Sequence, residues 1–206
     1  MAIVKLNNKA VSNATAFGSI TGLGSMIFIK KLTASGSATL SFVDGTDGVV
    51  LDSTYKEYYF TFKNIHPSTD DTNFQVNFSI DSGSNYNVAK TTTYFRSIHN
   101  ESDATALLGY EAANDLAQGT GFQTLCDDIG SDNDQNANGT LNLFNPSSTT
   151  FVKHFIARIA VSQSADYAMD LNTAGYGNTT SAIDAIRFKM SSGNIDAGDI
   201  CLYGIA

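Results

Sequence analysis

Apolar and polar residues alternate with a period of two through most of the chain, the mark of half-buried β-strands. In NFQVNFSI, Phe74, Val76, Phe78 and Ile80 alternate with Gln75, Asn77 and Ser79. KEYYFTFKNI sets Tyr58, Phe60 and Phe62 against Tyr59, Thr61 and Lys63, which predicts a packed aromatic face. MIFIKKL and ATLSF are two further short strands joined across ASGS, and DGTDG then breaks the pattern with turns. TTTYF is another short strand, and the second half resumes with FQTLC, TLNLF, TFVKHFIARIAV, YAMDL, AIRFKM and DICLYGI. In AIRFKM, Ile186, Phe188 and Met190 predict a dry face, and Arg187 and Lys189 a charged face turned to water or to an acidic neighbour.

One stretch reads otherwise. Across residues 101–119, ESDATALLGYEAANDLAQG places Ala106, Leu107, Tyr110, Ala113, Leu116 and Ala117 at helical spacing. Ser102 or Asp103 serves as its cap and Gly119 as its end, while Gly109 weakens the helix. Many short strands, turns rich in Gly, Asn, Ser and Thr, and no regular crossover helices predict an all-β chain. The expected architecture is a jelly-roll-like antiparallel β-sandwich over residues 25–206 with this one short helix inserted. The weakly periodic, small-residue segment 1–24 is expected to be a flexible N-terminal arm that orders against a partner.

Composition narrows the function classes. The chain has 206 residues and a formal net charge of -8, with only 16% charged residues. That balance, without a basic run, argues against direct nucleic-acid binding. No apolar run reaches the roughly 20 residues that span a bilayer, and MAIVKLNN lacks the pattern of a secretory signal, so synthesis in the cytoplasm without membrane insertion is expected. Cys126 and Cys201 can pair only if the fold brings them together, and Cys201, inside ICLYGI, reads as a buried strand thiol.

Candidate chemistry is sparse. NATAFGSITGLG carries glycines but neither the GK[ST] of a phosphate loop nor a dinucleotide fingerprint, so it reads as arm or turn. In CDDIGSDNDQNANG, the alternating oxygens of Asp132, Asp134 and Asn136 form a candidate Ca²⁺ set. The next residue is Ala137 where an EF-hand needs Gly, and Leu143 stands where it needs Glu, so an exposed acidic loop is the plainer expectation. No cofactor is otherwise implied. His66, His99 and His154 form no close-spaced ligand set, and no G-x-S-x-G segment offers a nucleophile. Tyr86 in DSGSNYN and Tyr176 in AGYGNTT are candidate carbohydrate contacts, each a ring among small and amide residues.

From Asn138 onward, NGTLNLFNPSSTTFVKHF and AGYGNTTSAIDAIRFKMSSGNIDAGDICLYGI resemble virion proteins of tailed bacteriophages from marine and environmental sources. YYFTFKNIHPSTDDTNFQVNFS, DSGSNYN, TTYFRS and DIGSDNDQNANG are similar to the same group, so that the likeness covers most of residues 25–205. The resemblance implies a jelly-roll-like module on a capsid surface, neck or tail. It implies a noncatalytic, homo-oligomeric protein partnered by other virion proteins, such as the major capsid or tail proteins, with capsid decoration the leading expectation. A tail receptor-binding or carbohydrate-binding module is the first alternative, and a glycan-processing enzyme the second.

Overall fold

The computed structural model describes residues 26–206. The arm expected over residues 1–24 lies outside the described residues. Twelve antiparallel strands follow in chain order: β1 Met26–Ser37, β2 Leu40–Val43, β3 Glu57–Pro67, β4 Thr72–Ser79, β5 Lys90–Asn100, β6 Ala106–Tyr110, β7 Gln123–Ile129, β8 Ala137–Phe144, β9 Lys153–Gln163, β10 Tyr167–Gly177, β11 Ala185–Met190 and β12 Ile195–Ile205. Nine of them form one hydrogen-bonded path in the order β1-β12-β3-β8-β9-β7-β4-β11-β2. Because β2 follows β1 after a two-residue turn, the path's two ends return to each other and the sheet makes a nearly closed barrel. β9 also carries a wing of three strands, β10, β5 and β6, in which β10 pairs along the whole length of β9.

This corrects the expected jelly-roll sandwich with an inserted helix. The strands form one connected sheet, β7 joining β9 through the Ile129 to Gln163 pair, and the described residues contain no helix. The segment read as helical folds as the β5–β6 hairpin followed by a loop. Ser102 and Asp103 lie in the hairpin turn, where the Asn100 side chain accepts hydrogen bonds from the backbone N–H groups of Ala104 and Thr105 at 2.9 and 2.8 Å. Asp103 takes a φ of 56° there. The 3.6-residue spacing of Ala106, Leu107 and Tyr110 was overridden because β5 offers a full ladder of backbone partners, from Phe95 opposite Tyr110 to His99 opposite Ala106.

Alternation does fix the interior. Tyr58, Phe60 and Phe62 of β3, Phe74, Val76 and Phe78 of β4, and Ile186, Phe188 and Met190 of β11 are all buried. Phe188 sits at the centre, its ring centroid 5.6 Å from Phe60, 5.3 Å from Phe62 and 5.7 Å from Phe74, with the last pair stacked. Burying such rings at edge-on and offset contacts supplies area-dependent stabilisation plus roughly 0.5–1.5 kcal/mol per aromatic pair. Ile80, read with β4's apolar face, falls beyond the strand and is exposed. Arg187 and Lys189 meet neither an acid nor water alone: they lie over the rings of Tyr86 and Phe122 at 3.8 and 4.9 Å.

Turn chemistry places five of the aspartates. Of the nine non-glycine residues with positive φ among the described residues, seven are Asp or Asn, including Asp47, Asp71, Asp128 and Asp166. These side chains tolerate the left-handed region by bonding to nearby backbone. Glycine is required at position 198, at φ 120° where β12 slips register against β3, because a Cβ there would lie 2.6 Å from the Asn64 carbonyl oxygen. Both cysteines are free and buried, and burial pushes the Cys126 thiol well above its ordinary value.

Candidate functional site

The wing ends in an unguarded strand. β6 is ALLGY, without charge or proline, and it pairs with β5 alone among the described residues. Its outer edge therefore presents free backbone N–H and C=O groups. Leu107, Leu108 and Tyr110 are 52%, 74% and 57% exposed, and Phe95 on β5, directly opposite Tyr110, is 43% exposed. Register puts Phe95, Ser97, Leu108 and Tyr110 on the same outward face. Edge strands are ordinarily blunted by lysine, proline, bulges or a covering loop. β6 has no lysine, proline or bulge.

Beneath this surface, a polar network centred on the buried Tyr94 and Asp127 clamps the wing to the barrel. The Tyr94 hydroxyl donates to Asp127 Oδ1 at 2.7 Å, and Arg96 Nη1 and Asn114 Nδ2 donate to Asp127 Oδ2 at 2.5 and 3.0 Å. Arg96 also reaches Glu111 at 3.0 Å and Asp128 at 3.7 Å. Burial, with the Asp127 charge adding, pushes the Tyr94 hydroxyl far up. Burial likewise raises the Asp128 carboxyl, and the nearby charges of Asp127 and Asp71 raise it further against the opposing pull of Arg96. Each partner of Asp127 comes from β5 or from the loop after β6, so the network holds the hairpin in one orientation, with β6's far edge unpaired among the described residues.

The outward face of β8, β9, β10 and β5 carries two shallow troughs. One, of about 520 Å³, has a floor of small side chains including Ala160 and Ala168, with His99, Asn136, Asn138 and Asp170 around it. The other, of about 470 Å³, runs over Ala174 and Thr93 between Ile156 and the pair His154 and Tyr176. Arg158 lies across the sheet between them, its Nε and Nη2 donating to the two oxygens of Asp170 at 2.9 and 2.8 Å.

The sequence-predicted site residues scatter. Tyr176 stands at the second trough, half-buried, its ring centroid 5.9 Å from that of His154. Tyr86 is packed under Arg187, and its buried hydroxyl has no hydrogen-bond partner among the described residues. Asp132 and Asp134 are exposed on the β7–β8 loop, while Asn136 borders the first trough and accepts a hydrogen bond from Asn138. Among the described residues no group of three or more His, Cys, Asp or Glu is arranged to hold a metal ion. Sequence reasoning missed the β6 edge, although adjacent Leu107 and Leu108 carried the signal: neighbouring residues of a strand face opposite sides, so both cannot be covered by one core.

Fold and surface together define a β-barrel module with an apolar strand edge that is unpaired among the described residues. No family model matches the chain, and neither curated proteins nor solved structures give a match.

Proposed function

We propose that the protein is a noncatalytic virion structural protein of a tailed phage, a capsid-decorating or other head or tail surface component that assembles through β6 with a neighbouring copy. The observation that carries this reading is the uncharged, exposed β6 edge. An antiparallel partner strand would satisfy its backbone groups while burying Leu107, Leu108 and Tyr110. ALLGY paired with itself about a two-fold axis sets Leu108 against Leu108 and Ala106 against Tyr110, a self-complementary contact of the kind closed oligomers use. Repetition over a symmetric particle multiplies such a modest contact through avidity. The likeness to phage virion proteins set out above supplies the particle as the setting.

Cryo-electron microscopy of the native virion, with this chain fitted into density, tests the proposal. Density at repeated capsid or neck sites with β6 against a second copy is the expected result. Density confined to the tail tip favours host recognition, with the trough beside His154 and Tyr176 as the surface to examine for glycan. Absence of matching density overturns virion membership.

A further inference from the structure

Lys90 and Asn77 meet in the interior although their strands do not pair. Lys90 opens β5 and Asn77 lies in β4, and both side chains are wholly buried. Lys90 Nζ lies 2.5 Å from Asn77 Oδ1 and 2.7 Å from the Val88 carbonyl oxygen. The carboxamide is held on every side. Its Oδ1 also accepts the Phe78 backbone N–H at 2.8 Å, and its Nδ2 donates to the carbonyl oxygens of Tyr86 and Thr120 at 2.6 and 3.0 Å. The Phe78 ring lies 5.9 Å from Nζ, and no carboxylate is hydrogen-bonded or ion-paired to the amine among the described residues.

Burial without a countercharge pushes the Lys90 amine down to about 7. At neutral pH a sizeable fraction of it therefore carries a free lone pair, as a nucleophilic lysine requires. The electrophile is equally prepared, because a backbone N–H already bonds the oxygen on which charge develops when the carboxamide carbon is attacked.

We propose that Lys90 and Asn77 join in an intramolecular isopeptide bond once the chain has folded. Nζ attacks Cγ of Asn77, the Cγ–Nδ2 bond breaks, one proton passes from Nζ to Nδ2, and ammonia leaves. The step is neutral and needs no oxidant or reductant. With no carboxylate beside the pair to carry the proton, transfer occurs within the tetrahedral adduct and the reaction is slow. The product links β4 covalently to the start of β5, tying the barrel to its wing. Lys153 provides an internal comparison: it too is buried, but among the described residues its Nζ is hydrogen-bonded only to the carbonyl oxygens of Phe151 and Thr179, at 2.9 and 3.1 Å, and to no side-chain amide.

The test is mass spectrometry of the purified folded chain, kept for several days at pH 8 and then denatured and digested with trypsin. The expected wild-type mass falls about 17 Da below the sequence mass, the ammonia lost. Trypsin is then blocked after Lys90, and residues 64–96 emerge as one looped peptide, because no other Lys or Arg interrupts the stretch. Lys90→Met restores the sequence mass. Cyclisation of an asparagine to a succinimide gives the same deficit, but it persists in Lys90→Met and leaves Lys90 cleavable, and that pattern overturns the proposal. So does wild-type protein of full mass that yields linear peptide 64–90.

Discussion

Replacing Leu108 by lysine separates assembly from folding. The side chain is 74% exposed, so the isolated fold gains little from it and its substitution should change stability by no more than about 0.5 kcal/mol. A β6–β6 contact would bury most of what remains open. Complete burial of a leucine is worth roughly 1.5–3 kcal/mol, so the uncovered three-quarters corresponds to about 1–2 kcal/mol per copy. A two-fold contact uses the residue twice, giving about 2–4 kcal/mol, and at 1.4 kcal/mol per tenfold the dissociation constant should rise between about 30-fold and 700-fold. Opposed lysines add repulsion in the same direction. Sedimentation equilibrium over a wide concentration range reads the association, and thermal unfolding read by circular dichroism checks the fold. A Leu108→Lys variant with an unchanged melting temperature and an unchanged association curve would refute assembly through this edge.

Three further outcomes follow from the interior. Phe188→Ala, which empties the centre of the ring cluster formed with Phe60, Phe62 and Phe74, should cost about 3–5 kcal/mol in urea unfolding, well above the cost of truncating a peripheral side chain. Gly198→Ala forces a side chain into a φ of 120° and a contact with the Asn64 carbonyl, and should cost roughly 1–3 kcal/mol by the same assay. Asp128 has a folded-state carboxyl raised by burial and then by Asp127 and Asp71, so the folded chain holds its proton to higher pH than the unfolded chain does. That contribution is complete below the ordinary carboxylate range and is lost as pH rises through the raised value. Asp128→Asn should therefore gain melting temperature over wild type at pH 7 relative to pH 4, and equal differences at both pH values would contradict the assignment.

For three of the strands the chain alone showed which apolar side chains face inward. Tyr58, Phe60 and Phe62, Phe74, Val76 and Phe78, and Ile186, Phe188 and Met190 were legible as dry faces because a strand's period of two is a local property of the backbone. Tyr176, expected among small residues of a loop, lies instead within β10, half-buried beside His154. Partner choice was not legible. Residues 106–110 carry spacing compatible with a helix and became a strand because β5 was available to pair with them, and Tyr86 was drawn under Arg187 by a strand far away in sequence. The same holds for the pairs that matter chemically. Lys90 with Asn77 and Arg96 with Asp127 are ordinary residues until the barrel brings them within hydrogen-bonding distance, the first pair in a space closed to water and the second at its margin. Local pattern selects a side of the sheet, but only the closed arrangement of all the strands decides which polar groups are left facing one another without solvent and which edge is left without a neighbour.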